Sequence, residues 1–350
     1  MIAATVPQVD EPQRILVVQP SWVGDCVMAT PTLRALRQRF PNAHIAYLMR
    51  RHLKPIFTGM PWADRLLTHR KVRLPKLAAR LAKGRFDAAV LLPNSFRIAL
   101  LCKTAGIPRI IGYDRDGRGF LLTDKLLPHK QDGRFVPRPM IPTYLGIAHY
   151  LGARKSSAQM ALFITDDDAA DGAAVLQRAG LPPDGYVLLN PGANYGSAKC
   201  WPPAYFAEVA DGLAEQGLAV GITGAPKETP IVRDILAQCT SRPADLIAAG
   251  MTLGALKHVT ANAALMITGD TGPRHIAGAL GTPMVTLFGP TDPRWTEINV
   301  AKERQLSIPV FCGPCQRKVC PLDHRCMTRL TPRMVMTAAG RLLDAEAVRA

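Results

Sequence analysis

Residues 268–290 read TGDTGPRHIAGALGTPMVTLFGP, and the residues leading into them, Ala263 to Thr268 (AALMIT), form a short apolar run. A run of that length, ended by glycine, is expected to be a buried strand. Gly269 and Gly272 bracket Asp270 and Thr271 in a tight turn. Ile276 to Leu280 reads as helix, with Gly281 as its stop and Pro283 just beyond; Met284 to Phe288 is the next strand. Strand, glycine turn, helix and strand make up the unit of a parallel sheet, because parallel neighbours need a crossover. The turn sits at a helix N-terminus, where unpaired N–H groups and the dipole favour an anion. Gly272 lets the backbone approach that anion, Thr271 can cap the helix or donate to a phosphate oxygen, and His275 can reach back to the same place. An ordinary strand–helix turn with Thr271 as its cap fits the same residues.

The rest of the chain repeats this unit. Arg14 to Gln19 (RILVVQ) is a first buried strand, followed by PSWVGDCVMATPTLRALRQRF. There Gly24 and Asp25 form the strand-to-helix turn, and a helix is expected from about Cys26 to Phe40, ended by Pro41. Strands follow at Ala43 to Met49, near Arg65 to Leu67, at Phe86 to Leu92 and at Arg109 to Gly112, with helices between. The polar turn Pro93-Asn94-Ser95-Phe96 opens the helix Arg97 to Thr104. After a helix at Pro139 to Leu151, Ser156 to Thr165 reads as a linker, and Thr165 to Asp168 caps a helix that stops at Gly180. A second series follows: strands at Tyr186 to Asn190, Leu218 to Thr223 and Asp245 to Ile247, then the stretch quoted above. The last helix, about Pro332 to Val348, has apolar residues at helical spacing. The expected fold class is α/β, with two doubly wound halves facing across a cleft. Residues 1–13 read as a loose leader, 14–160 as the first domain, 161–330 as the second and 331–350 as the C-terminal helix.

Ligands of such sheets bind at the carboxyl ends of the strands, where Gly24, Asp25, Asn94 and Ser95 fall. Asp25 is either a helix-start cap or a carboxylate aimed into the cleft as a general base.

The chain has 350 residues, 48% of them apolar, and no apolar run long enough to span a membrane, so a soluble globular protein is expected. The N-terminus lacks the pattern of an export signal, which implies the cytoplasm. The net charge of +16 suits an anionic substrate or lipid surface, or is simply a solvated basic surface; Arg50 to Lys54 and His69 to Lys83 are its densest stretches. No zinc finger, RNA-binding aromatic motif or continuous basic helix accompanies it, so no nucleic-acid partner is expected. The turn after the first strand, P-S-W-V-G-D, lacks G-x-G-x-x-G, which argues against a dinucleotide-dependent dehydrogenase.

FCGPCQRKVCPLDHRCM places Cys312, Cys315, Cys320 and Cys326 at C-x2-C-x4-C-x5-C. That spacing fits a structural zinc or iron–sulfur site, or a set of packed or reversibly bridged thiols in a loop. Asp114-Arg115-Asp116 forms D-x-D, read here as a polar loop or an acceptor contact.

Taken together, RILVVQPSWVGDCVMATPTLRALR, LLPNSFRIALLCKTAGIPRIIGYDRDGR, NPGANYGSAKCWP, GAPKE and GDTGPRHIAGALGTPMVTLFGPTDP resemble glycosyltransferase family 9, the ADP-heptose:lipopolysaccharide heptosyltransferases. The resemblance runs from about Arg14 to Met327, and PSWVGD and LPNSF look most like the heptosyltransferase II subfamily. It implies a GT-B fold, with the donor held by the C-terminal domain and the acceptor mostly by the N-terminal one. It implies an inverting transfer that needs no cofactor, from ADP-heptose to a lipid A–core acceptor at the inner membrane's anionic cytoplasmic face. Asp25 would be the general base. Lys199 would neutralise a diphosphate oxygen, Glu228 hold the ribose, and Met251 touch the adenine. Asp270, Thr271, Gly272 and His275 would hold the donor's sugar and diphosphate. Asn94 and Ser95 would contact the acceptor. Many relatives have an apolar residue where Arg274 stands; Arg274 is expected to face solvent, or else to add a contact to phosphate. Another sugar, the first-heptose acceptor, or a non-catalytic nucleotide-binding protein are the other readings of the same residues.

Overall fold

The computed structural model describes residues 11–70, 73–154 and 156–347. Residues 1–10 of the expected leader and 348–350 of the C-terminal segment lie outside them.

The elements run β1 (Arg14–Val18), α1 (Val23–Met28), α2 (Thr30–Arg39), β2 (His44–Arg50), α3 (Lys54–Phe57), β3 (Arg65–His69), α4 (Leu74–Ala82), β4 (Ala88–Leu91), α5 (Phe96–Thr104), β5 (Arg109–Tyr113) and β6 (Asp124–Leu126). A small antiparallel hairpin, β7 (Lys130–Gln131) and β8 (Arg134–Phe135), leads to α6 (Met140–Tyr150). The second series is α7 (Asp166–Ala179), β9 (Val187–Asn190), α8 (Pro203–Glu215), β10 (Val220–Ile222), α9 (Thr229–Gln238), β11 (Ala244–Asp245), α10 (Leu253–Ala261), β12 (Leu265–Gly269), α11 (Gly272–Leu280), β13 (Met284–Phe288), β14 (Glu303–Ser307), α12 (Arg325–Thr328) and α13 (Pro332–Ala347).

Two six-stranded sheets result, ordered β3-β2-β1-β4-β5-β6 and β11-β10-β9-β12-β13-β14. Every pair in both is parallel. The order is the same in the two sheets and is that of the doubly wound Rossmann fold. Continuous apolar strands such as Leu16–Val18 and Met284–Phe288 are buried on both faces, as helices on either side of a parallel sheet require. α13 packs back on the second sheet, where Val335 and Leu342 join Val209 and Leu287.

The sequence does not announce the outermost strands. β14 reads ERQLS and is mostly exposed; β6 is only three residues long. An edge strand has one free side and little apolar cover, so its pattern resembles loop. The helix expected from Cys26 to Phe40 is two helices, broken at Ala29. Pro31 has no N–H to offer the Val27 carbonyl, and the Thr30 hydroxyl donates to it instead at 2.7 Å. Both glycine turns also become helix sooner than expected. α1 begins at Val23 and α11 at Gly272, so Gly24, Asp25 and His275 lie in first turns.

Those first turns meet. α1 packs on α11, and a Cβ on Gly24 would lie 2.5 Å from the His275 ring, while one on Gly272 would lie 2.8 Å from Val23 Cβ. The absence of side chains at Gly24 and Gly272 is what lets the two halves close to this distance. A single apolar core runs through the contact, with Val27 and Leu33 from one side and Ile276 and Val259 from the other.

Candidate active site

Segments leaving the carboxyl ends of β1, β2 and β9–β12 enclose one cavity of about 360 Å³, within the range of small-molecule sites. Ser21 to Gly24 and His52 come from the first half, and Glu228, Met251, Thr271 and Gly272 from the second. Glu228 reaches this wall because glycines make room. A Cβ on Gly192 would lie 2.1 Å from its carboxyl carbon. One Glu228 oxygen accepts from the Ala225 N–H at 2.7 Å. Met251 is turned in after Gly250, which adopts φ +86°.

Beside the cavity lies a buried charge cluster. Lys199 Nζ donates to the Asp270 carbonyl and to Asp270 Oδ2, both at 2.7 Å, leaving its third proton for another acceptor. Thr291 and Thr296 hydroxyls also donate to the Asp270 carboxylate, at 3.1 and 2.9 Å. Arg274 lies behind it, fully buried, 3.3 Å from Asp270 Oδ1 and bidentate to Glu303 at 2.6 and 3.1 Å. This overturns the expectation that Arg274 faces solvent. Two carboxylates below the helix start require a cation, and the guanidinium matches Glu303 as a fork. Burial works against ionised Asp270, but Lys199, Arg274 and His275 hold its carboxyl down to about 2. His275 is buried and pushed down to about 3, first by burial and then by Arg274, so its imidazole is neutral.

Thr271 occupies the N-cap position without a capping hydrogen bond. Its hydroxyl instead accepts from Asn190 Nδ2 at 3.1 Å and lies 3.2 Å from the Thr268 hydroxyl. The first N–H groups of α11 are therefore left without that side-chain cap.

Asp25 follows directly on the segment that lines the cavity. Burial pushes its carboxyl up, and Asp270 adds to the rise. The Tyr144 hydroxyl, from α6, donates to Asp25 Oδ1 at 2.9 Å and opposes it.

A second, larger cavity of about 1080 Å³ opens at the carboxyl ends of β1–β4. Ser21 and His52 line both cavities. The larger one is strongly basic, with Arg50, Arg51, Arg70, Arg73 and Arg97 around it, so the two basic stretches of the sequence converge there. Ser95 lines it; Asn94 beside it accepts from Arg118 Nη2 at 3.0 Å. The D-x-D segment is a folded loop: the Asp114 carboxylate lies against Gly119, and Arg115 stacks over Phe135.

The four clustered cysteines are free thiols. Among the described residues no group of three or more His, Cys, Asp or Glu side chains is placed to hold a metal ion. Cys326 is part of the second half's core beside Met327, whereas Cys312, Cys315 and Cys320 stay in the preceding loop. Burial pushes the Cys326 thiol up and Cys320, Cys315 and Cys312 add to the rise, so the four thiols lie near one another without forming such a group. The loop braces the Lys199 turn. The Ala198 N–H donates to the Lys318 carbonyl at 3.0 Å, the Tyr195 hydroxyl donates to Gln316 O at 2.5 Å, and His324 Nε2 lies 2.7 Å from Ala198 O.

Tyr144, Thr296 and Glu303 had no signal in the sequence, since each reaches the site from another segment, and Thr291 stood within a quoted motif without a role. Two Rossmann-type sheets of identical order, with a ligand-sized cavity between their carboxyl edges, define a GT-B glycosyltransferase. The profile of glycosyltransferase family 9 (heptosyltransferase) matches residues 74–326, and the chain belongs to that family. It is 29% identical to lipopolysaccharide heptosyltransferase 2 of Escherichia coli K12 over 94% of this chain and 98% of that protein. It is 28% identical to the Salmonella typhimurium protein of the same name, over 96% of this chain and all of that one. The solved structure of E. coli ADP-heptose LPS heptosyltransferase II superposes with a TM-score of 0.81 at 27% identity, covering 95% of this chain and 99% of that one.

Proposed function

We propose that this glycosyltransferase moves L-glycero-D-manno-heptose from ADP-heptose to the lipopolysaccharide inner core as its second heptose, with inversion at the anomeric carbon. The names of the similar proteins support the donor and acceptor. The placement of Asp25 carries the mechanism: a partly buried carboxylate adjoining Ser21 to Gly24, the segment shared by the smaller cavity and, through Ser21, the basic cleft.

In this reading the domains divide near residues 160 and 161, acceptor first and donor second. Glu228 binds the ribose hydroxyls and Met251 packs on the adenine. Lys199, with its spare proton, and the start of α11 at Thr271 and Gly272 face the diphosphate and stabilise the leaving ADP. Asp270 orients Lys199 and Arg274 from beneath, and His275 meets the donor as a neutral imidazole. The basic cleft, with Ser95 at its wall, takes the acceptor's phosphates and acidic sugars. Asp25 removes the proton from the acceptor hydroxyl as that oxygen attacks C1 and the C1–O bond to the diphosphate breaks. We place the reaction at the cytoplasmic face of the inner membrane. The cysteine loop has no part in the bond exchange; metal analysis of anaerobically purified protein tests whether it takes zinc or iron.

The deciding experiment follows ADP release from ADP-heptose without acceptor, with non-heptosylated core lipid and with mono-heptosylated core lipid. Release only with the last is expected. Release only with the non-heptosylated core changes the heptose added. Release with neither, with ADP still bound, rejects the sugar or acceptor, and absence of ADP binding rejects catalysis.

A further inference from the structure

β4, β5 and β6 are adjacent and parallel, so the segments leaving their carboxyl ends, 92–98, 114–121 and 127–135, emerge side by side. These segments hold large apolar side chains out in water: Phe96 is 43% exposed, Phe120 73%, Leu127 81% and Phe135 39%. Phe96 and Phe120 form a pair with ring centroids 5.9 Å apart. Cations sit among them. The Arg115 guanidinium lies 3.8 Å from the Phe135 ring centre and Lys130 Nζ 5.1 Å from it, and Lys125 and Arg138 are exposed nearby. Asp116 and Asp132 are exposed there too, but the same edge continues into the arginine-lined cleft.

We propose that this edge is a docking surface for an anionic phospholipid bilayer, which sets the basic cleft against the membrane that carries the acceptor. The proposal rests on the functional reading above for the acceptor and names the surface that meets the lipid. Aromatic rings suit the headgroup level, and lysine and arginine around them are drawn to anionic lipid. A second copy of the chain is the poorer occupant, because two such edges would bring like charge together on a protein of net charge +16.

The test is co-sedimentation of the full chain with vesicles of phosphatidylcholine alone or mixed with phosphatidylglycerol. Binding is expected only to the mixed vesicles, weakening as salt rises. The exposed-site variant Phe120→Ser/Leu127→Ser should lower binding at least about tenfold. Lys125→Glu/Lys130→Glu should lower it by a similar factor, in a salt-dependent way. Both variants should turn over a deacylated, water-soluble acceptor at the wild-type rate. Equal binding by wild type and both variants, or none by wild type, overturns the surface. So does concentration-dependent self-association that the serine variant abolishes. Loss of soluble-acceptor turnover in the wild type would instead refute the transferase reading and leave the vesicle result to stand by itself.

Discussion

Asp25 combines two opposed influences, and their balance can be read in solution. Burial penalises its charged form and raises its pKa, while the Tyr144 hydrogen bond favours the carboxylate and lowers it. A general base must be ionised, so kcat/KM should fall on the acid side through a pKa above the ordinary 3.8 of aspartate. Tyr144→Phe removes a stabiliser of the ionised form and should move that limb to still higher pH. A pH profile unmoved by Tyr144→Phe would separate the tyrosine from the base. Asp25→Asn should lower kcat by at least about 10²-fold while leaving ADP affinity nearly unchanged. Rapid-quench turnover and ADP titration of that variant check both halves, and near-normal turnover removes Asp25 from the mechanism. Asp25 was legible in W-V-G-D because it follows a buried strand and opens a helix. Tyr144 was not, since it lies 119 residues further on and meets Asp25 only after folding.

At the scale of elements, the start of α11 depends on what is packed beneath it. Arg274 bridges Asp270, in the turn that leads into its own helix, and Glu303 on β14. Arg274→Met would leave Glu303 buried without its cation and Asp270 with Lys199 alone, which costs about 3–5 kcal/mol. Urea unfolding with unchanged slope should show that loss; a change under about 1 kcal/mol would mean other partners suffice. β14 is also the strand the sequence hid, so the partner of Arg274 was hidden with it. An arginine on a helix with no visible acid nearby reads as surface. The Lys199 turn has a comparable support. A Cβ on Gly196 would lie 2.2 Å from the Lys318 carbonyl, so Gly196→Ala should force the cysteine loop off this turn. ADP binding should weaken while the thermal midpoint stays close to wild type. Unchanged ADP affinity would detach the loop from the site.

For the whole molecule, the contact between α1 and α11 decides whether the site exists. Asp25 belongs to one sheet's helix and His275 to the other's, and the glycines at 24 and 272 bring them together. Gly24→Ala would place a methyl group against a buried imidazole and should drive the halves apart. Turnover should drop and hydrogen exchange of α1 should rise, with the sheets' core amides still protected. Wild-type turnover in that variant would show that the contact yields freely. The connection between the halves is held on both sides: the Thr30 hydroxyl accepts from Ala161 N–H, Arg34 donates to Ser157 and Gln159 carbonyls, and Lys257 donates to Phe163 O. Its composition suggested a linker, and its hydrogen bonds make it part of the frame.

Local pattern alone determined the two series of alternating strands and helices, the glycine turns at the strand ends, the Thr165–Asp168 capping box and the stop at Gly180. These rest on interactions within a few residues, which a sequence displays directly. The motif resemblance supplied the family, and the glycine turn opening a helix at residues 269–272 marked a candidate anion site. Tertiary structure alone decided the edge strands β6 and β14, the burial of Arg274, the bond from Tyr144 to Asp25 and the bond from Arg118 to Asn94. It also decided that Arg50, Arg51, Arg70, Arg73 and Arg97 surround one cleft. Each of these depends on which distant segments share a sheet edge or a buried charge, and no spacing along the chain encodes such a meeting.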